Sequence, residues 1–399
     1  MTDLFESRRQ PLAWEGVPLS GDLAVPSVWL TRPQVNDSVR KVHTLTDIAT
    51  WRALAIYYVW GFAGMPTWSP TVTHAVASPL TSCPNLDHVD QLSYIYNATS
   101  ATGLAIQVHL YAWHFVPSTS VKNRLVIYSP GHSTSFNDDE TASPSNLLTG
   151  DWRMISSLVA AGFDVVVYDM PAYCHDADPT SDGTPEANWH ADTGAVPFPY
   201  TTQSHEWLAQ FTPHYPSIGS FLRFFLTMPT LCLNYAQALG RFSNLNAVGL
   251  SGGGWSTTLL SALDTRIARS YSVAGSQPIY MRPATGALGD AEQVWPEFYS
   301  GCGYLDLYLM ATSGGRHAEQ IYNYSDDTVF GAAQYAAVES GRVRCNGLTY
   351  AQAIADFSGE ISTAAASVTG GTFATSIDLT STQHQNSWQT CGHVVSDLG

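Results

Sequence analysis

The apolar positions fall into two regimes along the chain. From Arg124 onward, short and continuously apolar runs alternate with stretches of helical spacing. Arg124 to Tyr128 and Phe163 to Tyr168 carry almost no interleaved polar residues, the pattern of strands buried on both faces. Leu245 to Leu250, Ile267 to Val273, His317 to Tyr324 and Phe373 to Leu379 read as further strands. Between them, Asp151 to Ala161 has a helical repeat that stops at Gly162, and Gly253 to Asp264 has another. Ser217 to Leu239 reads as a long helix that Pro229 kinks or splits. Two more helical stretches lie near 332–338 and 350–368. This alternation predicts an α/β fold, a doubly wound and mostly parallel sheet with helices on both faces.

Before residue 124 the pattern is looser. Val89 to Tyr96 and Leu104 to Val116 read as strands with polar residues interleaved, and Asp47 to Tyr58 as a short helix. Pro66 to Pro84 reads as a loop rich in Pro, Thr and Ser. Residues 1–40 are Pro-rich and irregular, an extended arm that lies on the surface or makes an assembly contact. The predicted organisation is an N-terminal extension over 1–88 and one α/β domain over 89–399. That domain carries insertions at about 171–216 and 280–315. The first insertion contains Tyr173, Trp189, Phe198, Tyr200, Trp207 and Phe211; the second contains Trp295, Phe298, Tyr299, Tyr304 and Tyr308. Both follow strands at the carboxyl edge of the sheet, where open α/β sheets bind ligands. They form either a lid and pocket wall or simply a satellite core.

Composition narrows the class. Of 399 residues, 45% are hydrophobic and 13% charged, which is globular rather than disordered. The net charge of −16 reflects a shortage of basic residues, with lysine only at Lys41 and Lys122. Such a surface has little to neutralise phosphates, so nucleic acid is excluded as a partner. The apolar run Leu54 to Gly64 is too short to span a bilayer, and the N-terminus lacks the apolar run of a signal peptide. The expectation is a soluble chain, either cytoplasmic or a processed secreted form. The six cysteines are scattered without C-x-x-C spacing, and Cys174-His175-Asp176 puts adjacent ligands on one loop, a poor cage. No metal and no cofactor are expected, and free thiols and disulfides both stay open.

The chemistry centres on G-x-S-x-G at Gly249, Ser251 and Gly253, after an apolar strand and before a helical run. The chain must turn sharply there, and side chains two residues either side of the serine would collide. Ser251 then begins a helix, whose dipole and free N–H groups favour negative charge. The Gly252 N–H is a natural oxyanion donor. No Lys follows the glycines and no G-x-G-x-x-G is present, which excludes phosphate-loop and dinucleotide fingerprints.

With Leu125 to Ser133, Gln320 to Phe330 and Ile377 to Trp388 beside this elbow, the segment from about Leu104 to His384 resembles the α/β-hydrolase superfamily, in its bacterial serine esterase and lipase group. The resemblance implies an oxyanion loop at Gly131-His132-Ser133, with a second donor from the backbone of His132 or Ser133. It places the triad acid at Asp326, with Asp327 as rival, and the general base at His384, with His393 as alternative. The order Ser251, Asp326, His384 is the order that fold requires. The implied function is hydrolysis of carboxylic esters through an acyl-enzyme, on a small-molecule or polymer-borne substrate. The same residues would also serve an amidase, a peptidase or an acyltransferase, and a hydrolase scaffold without activity would be a binding module.

Overall fold

The computed structural model describes residues 37–80, 82–99, 105–119, 123–132, 150–171, 189–190, 205, 208–211, 219–283, 288–338 and 342–399. The strands in chain order are β1 (Thr71–Val76), β2 (Leu86–Thr99), β3 (Ala105–Pro117), β4 (Arg124–Ser129), β5 (Asp164–Tyr168), β6 (Trp189–His190), β7 (Asn244–Leu250), β8 (Ile267–Val273), β9 (His317–Asn323) and β10 (Thr372–Asp378). They form one sheet in the order β1-β2-β3-β5-β4-β7-β8-β9-β10, with β6 paired to β3. Pairing is parallel from β5 through β10 and antiparallel among β1, β2, β3 and β5. The mostly parallel doubly wound sheet follows the sequence expectation.

The parallel strands are apolar because helices cover both faces. All five residues of β5 are buried, and so are the last five of β4 and of β7. On one face lie α1 (Leu45–Trp60), α3 (Arg223–Leu239), α4 (Gly252–Leu263), α7 (Tyr304–Ala311) and α9 (Tyr350–Ala364); α2 (Asp151–Ala160) and α10 (Trp388–Leu398) pack on the other. Pro229 is accommodated inside α3, which runs unbroken from 223 to 239. The chain leaves β4 toward β5 and then returns to the other side of β4 at β7. This reversal is the topological switch point, where the carboxyl ends of neighbouring strands splay and leave a crevice.

The segment before residue 88 departs from the expected extension. The boundary at 88 falls inside β2, and β1, read as loop, is an edge strand on it. Helix α1 is set by a capping box, with the Asp47 amide donating to Thr44 Oγ1 at 3.1 Å and the Thr44 amide to Asp47 Oδ2 at 2.9 Å. It buries Ile48, Ala55, Val59 and Trp60 in the main core. Two buried aspartates fasten the chain ahead of it. Asp306 Oδ1 accepts the amides of Lys41 and Val42 at 2.7 and 2.9 Å, and Asp37 accepts those of Ile279 and Tyr280. Burial pushes the Asp37 carboxyl up to about 6, although both amides and the nearby Arg282 oppose that rise. Of the arm expected over 1–40 to lie on the surface or make an assembly contact, residues 37 and 38 are buried and Val39 is exposed; 1–36 lie outside the described residues.

The aromatics of the second insertion are core rather than lid. Trp295, Phe298, Tyr299, Tyr304 and Tyr308 are all at most 4% exposed and continuous with the main cluster. Tyr299 stacks on Tyr304 with centroids 4.9 Å apart, and the Trp255 indole donates to the Tyr299 hydroxyl at 2.6 Å. Of the first insertion, Phe211 is buried, while Tyr173, Phe198, Tyr200 and Trp207 lie outside the described residues. Five cysteines are free thiols, and Cys174 lies outside the described residues. No described helix is long and apolar enough to cross a membrane.

Candidate active site

Ser251 stands between β7 and α4, as the residue that caps the helix, with φ 57° and ψ −129°, a positive φ in a residue that has a Cβ. Such a conformation costs about 1–3 kcal/mol and persists only where its surroundings enforce it. Here the Ser251 amide donates to Val273 O at 2.9 Å, which locks the turn to β8. The elbow glycines are needed for the reason the spacing suggested. A Cβ on Gly249 would lie 2.2 Å from Gly253 O, and one on Gly253 would lie 2.1 Å from Ser129 O. Both obstacles are backbone. Gly253→Ala is therefore expected to lower stability by at least about 3 kcal/mol. Gly359→Ala is its control, on helix α9 with nothing within 4 Å, and should gain about 0.5–1 kcal/mol. Urea unfolding of the two variants beside wild type checks the contrast.

Asp326 follows β9 and is buried, whereas the neighbouring Asp327 is exposed. Asp326 Oδ1 accepts the amides of Thr328 and Val329 at 2.9 and 3.0 Å. Its Oδ2 lies 2.7 Å from His384 Nδ1. Burial works to raise the Asp326 carboxyl, but His384 and the two amides outweigh it and hold it below the usual carboxylate range. The carboxylate is thus ionised at neutral pH and fixes Nδ1 as the protonated ring nitrogen. His384 Nε2 is buried and has no hydrogen-bond partner among the described residues, so no bond to Ser251 Oγ is formed. His393, the alternative base, sits on α10 with Nε2 2.9 Å from Glu319 Oε2 and does not meet Asp326.

Several residues that hold the His384 loop were not singled out in the sequence. Asp378, at the end of β10, accepts the amides of Thr380 and Ser381 and the hydroxyls of Thr380, Ser387 and Thr390, which ties both ends of the loop together. Asn323 Nδ2 donates to the carbonyls of Gln383 and Gln385, either side of His384, at 3.2 and 2.8 Å. Arg153 bonds Gln385 Oε1 and Asn386 O, and Asn386 Nδ2 donates to the Tyr128 hydroxyl at 2.8 Å. The loop after the last strand is thereby braced to β9, to α2 and to β4. Asp378 and Asn323 are ordinary polar residues at strand ends, Arg153 is one on a helix and Asn386 one in a loop, and only their convergence in space marks them.

The expected oxyanion loop meets the elbow at the switch point. Gly131, at φ 72°, packs so closely that a Cβ on it would be 2.5 Å from Leu250 O and 2.9 Å from the amide nitrogens of Gly252 and Gly253. His132 follows, with its ring against Gly252, and Ser133 lies outside the described residues. A separate depression of about 560 Å³, lined by Arg40, Arg344, Asp356 and Glu360, is filled with mutually paired charges and includes none of these groups.

No protein-family model and no curated protein matches the sequence. Solved structures do match. A glucuronoyl esterase from Teredinibacter turnerae aligns with 10% identity over 93% of this chain and 87% of its own, at a TM-score of 0.51. Acetyl xylan esterase 1 from Thermoanaerobacterium sp. aligns with 13% identity over 95% of this chain and 98% of its own, at 0.47. A methylesterase aligns with 13% identity and a TM-score of 0.48 over 89% of this chain, which spans 64% of that protein's length. The strand order, the switch point and the first of these likenesses together give the chain the α/β-hydrolase fold.

Proposed function

We propose that the protein is a serine hydrolase that cleaves carboxylic esters through an acyl-enzyme on Ser251. The observation that carries this reading is the short His384–Asp326 contact, with the other ring nitrogen of His384 buried and without a hydrogen-bond partner among the described residues. It belongs to the same fold edge as a serine held at a strained elbow. His384 Nε2 takes the proton from Ser251 Oγ as the hydroxyl attacks the ester carbonyl. Apo contacts of this kind close up when substrate binds. The developing oxyanion is met by the Gly252 amide and by a backbone amide of His132 or Ser133. The imidazolium, stabilised by Asp326, returns its proton to the leaving alcohol, and water then cleaves the acyl-enzyme by the same route. The 171–216 insertion would form the wall of the substrate cleft.

The test is hydrolysis of p-nitrophenyl acetate and butyrate beside an acetylated sugar, a glucuronoyl ester and an aminopeptidase substrate, together with fluorophosphonate labelling. The expected result is turnover of esters over the amide by at least about 100-fold in kcat/KM, with the label on Ser251. Preferential turnover of the amide would assign the residues to an amidase or peptidase. Failure of the label on folded protein would leave a binding module.

A further inference from the structure

Beside the proposed oxyanion loop, four side chains from three distant segments converge: His132, His205, Asp290 and Glu292. Each offers one donor atom, and these atoms all lie within 4.8 Å of one another. His132 Nε2 is 2.8 Å from Asp290 Oδ2, 3.3 Å from His205 Nδ1 and 3.8 Å from Glu292 Oε1. His205 Nδ1 is 3.0 Å from Glu292 Oε2. Ligand atoms about 2.0–2.1 Å from a tetrahedral zinc ion stand roughly 3.3 Å apart, in the middle of this range.

Hydrogen bonding around the cluster sets the donors inward. His205 Nε2 lies 3.2 Å from the carbonyl of Pro171. A carbonyl only accepts, so Nε2 carries a proton and Nδ1 is the ring atom turned toward His132 and Glu292. That outer hydrogen bond is the usual support of a metal-bound imidazole. Glu292 is wholly buried, and its Oε1 has no hydrogen-bond partner among the described residues. A buried carboxylate with an unsatisfied oxygen beside two imidazole nitrogens calls for positive charge among them, which a metal ion held by all four donors supplies. His132 and Asp290 keep side-chain exposures of 20% and 36%, which leaves one open side for entry.

We infer that His132, His205, Asp290 and Glu292 form a binding site for one divalent transition-metal ion of the zinc class. Two imidazole nitrogens and two carboxylate oxygens suit zinc; calcium and magnesium prefer oxygen donors alone. Two carboxylates balance the charge of the ion. The sequence expectation of no metal is revised on these grounds. No local spacing announces the set, because its members stand at 132, 205, 290 and 292. The ion would join the segment after β4 to both insertions. The His132 ring rests on Gly252, where a Cβ would be 2.5 Å from its Cε1, so the ion would hold this ring against the start of α4. The binding claim stands whether or not Ser251 is a nucleophile.

The experiment is calorimetric titration of the chelator-treated full chain with zinc alone, beside magnesium and calcium, with Ser251 labelling followed separately. The expected result is one zinc per chain at micromolar or tighter affinity and no comparable uptake of magnesium or calcium. Glu292→Gln and His205→Ala should each weaken binding by more than about 100-fold, since even outer partners of a metal site cost 10–100-fold. Asp290→Asn, at the exposed edge, should weaken it as well and disturbs the fold least. Circular dichroism of each variant confirms folding. Wild-type protein that takes up no zinc would overturn the inference and leave a proton-bridged histidine–carboxylate cluster. Uptake unchanged in all folded variants, or preference for calcium, would overturn it equally.

Discussion

Ser251→Ala and His384→Ala will each lower kcat for p-nitrophenyl ester hydrolysis by several orders of magnitude, up to about a million-fold, with KM little changed. Neither group works without the other. A serine hydroxyl is a weak nucleophile at neutral pH unless its proton has somewhere to go, and a base without the hydroxyl has nothing to activate. The losses should therefore not add, and the double variant should be nearly as active as either single one. Activity left over, on the order of a thousand-fold above water, would come from the Gly252 amide and the oxyanion loop. Single-turnover kinetics would check this. A Ser251→Ala variant within tenfold of wild type would remove the acyl-enzyme from the mechanism.

Asp326→Asn should lower kcat by about ten-thousand-fold, whereas Asp327→Asn should change it less than about threefold. The contrast follows from position. Asp326 is buried and 2.7 Å from His384 Nδ1, while Asp327 is exposed beside it. An asparagine at 326 allows its NH₂ to face Nδ1, which puts the ring proton on Nε2, where the base must be free. A pH effect on stability accompanies the loss. Because the Asp326 carboxyl is held below its ordinary value of 3.8, its ionised form stabilises the fold above that pH, and the contribution disappears as pH falls through the folded-state value. Asp326→Asn should flatten this acid limb in denaturant titrations. If the kinetic results for the two aspartates came out reversed, Asp327 would be the acid.

What was legible in the sequence follows physical lines. Strands β4, β5 and β7 are readable because burial on both faces keeps them mostly apolar, as in the run Phe163 to Tyr168, whereas the two-residue β6 leaves no such run. The elbow is readable because Gly249 answers a local collision with the residue four positions on, while Gly253 makes room for the distant Ser129 carbonyl. Strand β1 was not, since it is an edge strand with no fully buried residue and bears the polar pattern of a loop. Helix α10 was missed because Thr390, Cys391, Val394 and Leu398 form a narrow buried stripe in a polar segment beside a candidate histidine. The second insertion stays open between lid and core in the sequence because an aromatic looks alike in a core and in a cleft; the structure makes its aromatics core. The four-donor cluster and the braces of the His384 loop depend on residues far apart in the chain, which no window reveals.

The clasp of Asp37 and Asp306 has a bearing on how the chain reaches this state. The four amide bonds they make join residues 242 to 265 positions apart. During synthesis, the start of the described chain must wait for more than half of the polypeptide before its partners exist. Contacts of such long sequence separation form late and slow folding, because loop closure precedes any gain from the bonds. The α1 helix, made early from its own capping box, would then dock last, as a latch drawn across a sheet already assembled.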